Sequence, residues 1–390
     1  MKKFRGLLVL IVLAISPVVA FAQGAIETIA KQAIMIDYET GAVLLSKNAD
    51  EPMAPSSMSK LMTAVMVFER LAAGTLKLDD TIPVSERAWR MSLNEGSAMF
   101  LALGERVKVE DLIRGMIIQS GNDACVALAE ALAGTEERFA ELMTKRAKEI
   151  GLTSSTFKNA SGWPEPGHVM TARDLATLAS YLIHTFPQYY HFYSEKQFTY
   201  GLDIKTKKPI TQGNRNPLLY KDIGADGLKT GHTSGAGYGL TASAKRGDRR
   251  LILVMNGLAS MNDRSREGER LLDTGFREWD NVRVATAGSV VENADVWLGT
   301  QPKVALQTEK DVVLTLARKN RPGLKATIIY DSPLPAPIRK GAPVGRIVVT
   351  APEMTPVEVP LLATADVDRL GFSGRVAAAM NHLVWGQSKK

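Results

Sequence analysis

The chain has a single cysteine, Cys125, among 390 residues, so it cannot form an intramolecular disulfide even in an oxidising compartment. Its five histidines, His168, His184, His191, His232 and His382, are scattered. None forms an H-E-x-x-H pair or joins cysteines at zinc-ligand spacing, so no metal is expected. Aromatic residues make up only 6%, and they do not interleave with a basic helix, so no nucleic-acid partner is expected. No glycine-rich dinucleotide fingerprint follows a strand. In Gly224-Ala225-Asp226-Gly227-Leu228-Lys229-Thr230 a leucine separates glycine from lysine, so the phosphate cradle of a P-loop is missing too. A cofactor is not expected either.

One long apolar run stands out, over positions 6–19. It follows Lys2, Lys3 and Arg5 and precedes Ala20-Phe21-Ala22. That is the pattern of a secretory signal peptide over residues 1–22, too short and wrongly flanked for a spanning helix. An exported mature chain starting at Gln23 is expected. The net charge of +7 falls to +4 once Lys2, Lys3 and Arg5 are removed, compatible with an anionic envelope or membrane surface. With 45% hydrophobic and 23% charged residues, the remainder is ordinary globular protein, long enough for one large domain and a smaller one.

Positions 33–38 and 42–46 read as hairpin strands around Glu39-Thr40-Gly41. An apolar helix over about 57–71 follows, apolar enough all round to be buried. Further helices are expected over 109–118, 123–133, 135–151 with a threonine cap and acidic first turn, and 171–184. Strands then return at 227–233, 238–244 and 251–257, before a helix over about 265–279. The expected fold is α+β: an antiparallel sheet with strands from both ends of the domain, packed against a helical block. Beyond a boundary near 283, short alternating segments at 312–317, 326–330, 345–350 and 357–362, punctuated by prolines, read as a small all-β domain over 284–367. The tail, 368–390, places Phe372, Val376, Ala379, Met380, Leu383 and Val384 on one helical face, with Arg375, Asn381 and His382 off it. Trp385 and Lys389-Lys390 follow. This amphipathic helix suits a membrane surface; the bland alternative is a last helix docked on its own domain.

Three motifs carry the chemistry: Ser57-Met58-Ser59-Lys60, Ser120-Gly121-Asn122 and Lys229-Thr230-Gly231. Each alone is common. In this order they form the equipment of enzymes that acylate a serine without a histidine base. Residues three apart on a helix share a face, so Lys60 can reach Ser57 and take its proton. Lys60 sits in an apolar run, which should lower its pKa and suit it to act as a base. Lys229, on an edge strand with Gly231 on the same side, is the expected second lysine of the cleft, placed to attract a carboxylate. Thr230 lies on the opposite side of that strand. The backbone N–H groups of Ser57 and His232 are the expected oxyanion donors. Ser120, on a turn between helices, would relay the proton to a leaving amine, and Asn122 would hold the substrate amide. Cys125, in an apolar helix, should be an inert buried thiol.

With their flanks, Pro55-Ser56 and Leu61-Met62-Thr63, Asp123-Ala124-Cys125, and Asp226-Gly227-Leu228 with His232-Thr233, these motifs give the chain a family likeness. Together with Asn214-Arg215-Asn216 and Leu218-Leu219, they make it resemble the low-molecular-mass penicillin-binding proteins of the D-alanyl-D-alanine carboxypeptidase type. The likeness extends over the whole layout. It implies a β-lactamase/transpeptidase-like catalytic domain over 23–283 and a role for Arg215 in fixing the substrate region. It implies attack by Ser57 on the bond between the two terminal D-alanines of a peptidoglycan stem pentapeptide, and acylation of the same serine by β-lactams. It also implies a periplasmic protein attached peripherally, through its tail helix, to the outer face of the cytoplasmic membrane. Some members carry a histidine three residues before the position of Ala172. Here that residue is Val169 and His168 sits one earlier, so His168 is expected to be structural.

Three other readings use the same parts. A class A β-lactamase uses a glutamate to activate water, and Glu165, in a Pro-Glu-Pro turn, lacks the spacing to an asparagine. Endopeptidase action on D-alanine cross-links is compatible with the motifs. A penicillin-binding scaffold with little turnover would have no need of a paired Ser57 and Lys60.

Overall fold

The computed structural model describes residues 26–93, 96–203 and 206–385. The expected signal peptide and Lys389-Lys390 lie outside the described residues. Strands β1 (Gln32–Asp37) and β2 (Val43–Lys47) form the expected hairpin. A 3-10 turn, Ser56–Ser59, leads into helix α1 (Lys60–Ala72). The α-helix therefore starts later than expected. Ser56 takes a left-handed φ of +50°, which no α-helical turn accommodates, and the Ser59 hydroxyl ties back to the Ser56 carbonyl at 3.1 Å. Leu61, Met62, Val65, Val67 and Phe68 are all fully buried, as the all-round apolar sequence of α1 requires.

Next come β3 (Thr81–Pro83), α2 (Glu86–Leu93) and β4 (Arg106–Lys108), with β3 and β4 paired. These strands, three residues each, are too short to show an alternating pattern. The helical block then runs through α3 (Val109–Ile117), α4 (Asn122–Ala133), α5 (Glu136–Ile150) and α6 (Ala172–Thr185). Thr135 caps α5 by accepting the Arg138 N–H at 3.1 Å, and Thr171 caps α6 by accepting that of Asp174 at 3.0 Å. A small hairpin, β5 (Gln197–Leu202) and β6 (Pro209–Gly213), follows.

The main sheet is completed by β7 (Ala225–Thr233), β8 (Gly237–Arg246) and β9 (Arg249–Leu258), and closed by α7 (Met261–Glu278). Helix α7 begins earlier than expected because Ser260 caps it, accepting the Asp263 N–H at 3.0 Å. The five antiparallel strands lie in the order β2-β1-β9-β8-β7. The sheet is a middle layer. Ile252 and Val254 of β9 face the helical block, while Leu251, Leu253 and Met255 face α7 with Leu271, Leu272 and Phe276. That is the two-residue alternation of a strand covered on both sides.

Helix α7 runs directly into β10 (Trp279–Ala285), which is followed by β11 (Val290–Trp297), β12 (Lys303–Gln307) and β13 (Val312–Ala317). The remaining strands are β14 (Lys325–Ile329), β15 (Leu334–Pro335), β16 (Pro343–Thr350) and β17 (Val357–Ala363). β10 pairs with β13, and the other strands form a six-stranded sheet around a core that includes Leu306, Ile347, Val349 and Leu361. In this domain β10, β11, β12 and the two-residue β15 are the strands that the sequence pattern does not announce. β11 interrupts its apolar positions with Glu292, Asn293 and Asp295. The chain ends in α8 (Phe372–Trp385). Among the described residues no helix is long and apolar enough to cross a membrane. The fold is α+β, as expected.

Candidate active site

Ser57 lies in the 3-10 turn ahead of α1, wedged between two close neighbours. On one side is the loop through Gly162, whose φ is +78°; a Cβ there would fall 2.0 Å from the Ser56 carbonyl oxygen. On the other is Gly231 of β7, where a Cβ would fall 2.9 Å from the Pro55 oxygen. Only glycine lets both backbones reach the nucleophile turn. Gly162→Ala therefore displaces Ser57. The expected cost is about 2–4 kcal/mol, from overpacking and left-handed strain together. A lowered denaturant midpoint with slowed serine acylation checks it.

Lys60, 1% exposed, reaches back along the turn and donates to Ser57 Oγ at 2.9 Å. Its other hydrogen bonds go to Asn122 Oδ1 at 2.8 Å and the Ser161 carbonyl at 2.6 Å. Burial lowers its pKa to about 8, with the positive field of Arg215 acting the same way against the raising effects of Cys125, Asp123 and Glu136. Lys229, 2% exposed, donates to Ser120 Oγ at 3.0 Å. Its pKa is held well below the usual lysine range, first by burial and then by the like charges of Lys60 and Arg215. The cleft thus holds two lysine–serine pairs, Lys60–Ser57 and Lys229–Ser120.

Ser120 occupies the turn between α3 and α4 with a φ of +60°. Asn122, expected on the same turn, is instead the first residue of α4, where its N–H donates to the Ser97 carbonyl at 2.7 Å. Cys125 is fully buried and donates to the Gly121 carbonyl at 3.2 Å. Burial pushes its thiol up to about 12, which leaves it inert.

A cavity of about 530 Å³ brings Ser57, Ser120, Arg215, Thr230, Gly231 and His232 to one surface. Lys60, Asn122 and Lys229 stand directly behind it through the bonds above. β7 is an edge strand of the main sheet, so its outer row of backbone groups faces the cleft. The candidate catalytic and substrate-binding residues therefore meet in one place, Thr230 among them, although strand alternation alone had put Thr230 on the side away from Lys229 and Gly231.

The sequence did not reveal several other contributors. Arg264, 5% exposed, lines the same cavity; burial lowers its guanidinium to about 10. It donates to the Arg215 carbonyl at 3.4 Å and sits over the Tyr238 ring at 5.6 Å. With Arg215 and Thr230 it makes one end of the cleft suited to an anion. Ser97 accepts a short hydrogen bond from Arg215. Its loop is held by the buried Asp123 carboxylate, which accepts the N–H groups of Met99 and Leu101 at 3.0 and 3.2 Å and the Ser92 hydroxyl at 2.8 Å. Asp123 directly follows the second motif, the one signal that could have marked it. The Ser161 carbonyl is a backbone group and leaves no trace in residue type. Among the described residues no cluster of His, Cys, Asp and Glu could hold a metal ion.

A family model described as D-alanyl-D-alanine carboxypeptidase matches residues 19–259, and one described as penicillin-binding protein 5, C-terminal domain, matches residues 279–369. D-alanyl-D-alanine carboxypeptidase DacC of Escherichia coli (strain K12) is 41% identical over 348 residues, 88% of this chain and 85% of that protein. DacD of Salmonella typhimurium is 38% identical over 354 residues, 90% of this chain and 89% of that protein. The crystal structure of penicillin binding protein 5 from Haemophilus influenzae matches with a TM-score of 0.77 at 35% identity, covering 88% of this chain and 98% of that one. The chain belongs to the D-alanyl-D-alanine carboxypeptidase family.

Proposed function

We propose that the protein removes the terminal D-alanine from peptidoglycan stem pentapeptides through an acyl-enzyme on Ser57. The observation that carries this reading is the 2.9 Å contact between Lys60 Nζ and Ser57 Oγ, made by a lysine whose pKa lies near 8. The substrate carboxylate sits between Arg215, Arg264 and Thr230, and its backbone lies along the outer edge of β7, with Asn122 on the amide side. Ser57 Oγ attacks the penultimate carbonyl carbon as neutral Lys60 accepts the hydroxyl proton. The oxygen of the tetrahedral intermediate takes its negative charge toward the N–H groups of Ser57 and His232. Ser120, bonded to Lys229, passes a proton to the departing nitrogen, and D-alanine leaves. Water then cleaves the ester and regenerates Ser57. A β-lactam acylates the same oxygen, but its leaving group stays tethered. The test is D-alanine release from a peptide ending in D-alanyl-D-alanine. One D-alanine per peptide is the expected result; none would sink the reading.

We also propose that residues 23–283 act as the catalytic unit and that 284–367 form a spacer. The tail, 368–390, rests on the outer face of the cytoplasmic membrane of an exported protein. Phe372, Val376 and Met380 of α8 are 77%, 49% and 59% exposed, an apolar stripe that a lipid interface would cover. A mature chain ending at Asp368 is expected to leave the membrane fraction while keeping its full turnover. Continued sedimentation of that truncated protein with membranes would refute the anchor.

A further inference from the structure

The Ser161 carbonyl is one of the groups to which Lys60 Nζ donates, at 2.6 Å, so the base stays aligned on Ser57 only while the segment 160–163 stays in place. Asn159 Oδ1 accepts the N–H groups of Ser161, Gly162 and Trp163 at 3.3, 2.8 and 3.1 Å. Thr63 of α1 donates to the Ala160 carbonyl at 2.6 Å. The N–H of Ala160 itself donates to Glu136 Oε1 at 3.0 Å. Glu136 opens α5, where a helix N-terminus favours a carboxylate, and it is only 6% exposed. Its other oxygen accepts from Arg87 of α2 at 2.7 Å, and Arg87 also holds Glu137 at 2.7 Å. Helices α1, α2 and α5 are thus tied together at the segment that carries the Ser161 carbonyl.

A neutral side chain could accept the Ala160 N–H as well, without the desolvation of a buried carboxylate. What the charge alone supplies is a field at Lys60. Beyond the burial that lowers the amine, charged and titratable groups face it from each neighbouring element. Cys125 and Asp123 of α4 and Glu136 of α5 act to raise its pKa, and Arg215 acts to lower it. Cys125, pushed up to about 12 by burial, is an uncharged thiol at working pH. Lys229 of β7 is a second cation in the same field, depressed by burial and then by Lys60. His168, 4% exposed, accepts the Lys158 N–H on Nδ1 at 3.3 Å. Burial, reinforced by Lys60 and Lys158, lowers its pKa to about 4, so its ring is neutral. Asp123 and Glu136 are therefore the negative groups among these, and the Asp123 carboxylate is turned to the N–H groups of Met99 and Leu101. Only Glu136 bonds the segment that touches the base.

We infer that Glu136 is a positioning residue for acylation: through the Ala160 N–H it staples the Ser161 carbonyl against Lys60, and it supplies a negative charge to the surroundings of that base. The inference rests on Lys60 being the base of the carboxypeptidase reading. The test is penicillin acylation of Ser57, followed by stopped flow over about four pH units around the Lys60 value. Glu136→Gln keeps an oxygen for the Ala160 N–H and removes the charge, while Arg87 stays on Glu137. Loss of a charge that raises the amine's pKa lets it deprotonate earlier, so the bend should move down from about 8 by about half a pH unit. Glu136→Ala also frees the Ala160 N–H. Its plateau above the bend should lie about tenfold below that of Glu136→Gln, because Lys60 loses its alignment. An unmoved bend in Glu136→Gln would overturn the inference, and so would equal plateaus in the two variants. If Glu136→Ala does not fold, the bend in Glu136→Gln decides. A missing bend in the unaltered enzyme would instead remove Lys60 as the base, and the inference with it.

Discussion

Ser57→Ala is expected to lose D-alanine release by about 10⁴-fold or more and to lose covalent penicillin labelling entirely, because it removes the atom that becomes acylated. The fold should survive. Ser57 is only partly buried, and Lys60 keeps its bonds to Asn122 and the Ser161 carbonyl, so the stability change should stay within about 1 kcal/mol. Mass spectrometry of the penicillin-treated variant is the direct measurement. A labelled Ser57→Ala protein would move the nucleophile elsewhere, with Ser120 the first suspect because Lys229 stands against it at 3.0 Å.

The second large effect concerns Lys60. A base must be neutral to accept a proton, and this amine has a pKa of about 8. Below that value the neutral fraction, and with it the acylation rate, should fall tenfold per pH unit; above it the rate should level off. An ordinary lysine would place the same bend near 10.4. Lys60→Met keeps much of the side-chain volume and abolishes the base. It should acylate about 10³-fold more slowly or worse, with no recovery on raising the pH. Stopped-flow acylation across pH 6–10 (a range of about four units around the cited value) separates these cases. A wild-type profile flat through pH 8 would remove Lys60 from the role of base.

What could be read from the sequence was what is local. Ser57 and Lys60 are three residues apart, Ser120 and Asn122 two, and the chemistry of each pair shows in residue type and spacing. The long alternating strands β7, β8 and β9 and the capped helices α5 and α6 announce themselves by periodicity and caps. Arg264 did not. It comes from a polar stretch after Ser260, and only the fold carries it to Thr230. The loop around Asn159 was equally silent, because it acts through backbone N–H groups and the Ser161 carbonyl. The short pair β3 and β4 and the charged strand β11 went unnoticed because register, not composition, makes them strands. The 3-10 form of the nucleophile turn follows from Ser56, whose left-handed φ is set by tertiary contacts with Gly162 and Gly231.

The position of β9 has a consequence in time. β9 is the middle strand of the main sheet, and its partner β1 lies about 220 residues earlier, as in the Ile34–Val254 pairing. Closing a chain segment of that length costs on the order of 5 kcal/mol in loop entropy before any contact repays it. A chain growing from its N-terminus therefore has Ser57 and Lys60 long before it has the strands that flank them. Until residues near 258 are available, the apolar helices have no sheet to cover, and fragments ending earlier should aggregate rather than wait folded. The nucleophile is among the first parts of the machinery to be made and among the last to become reactive.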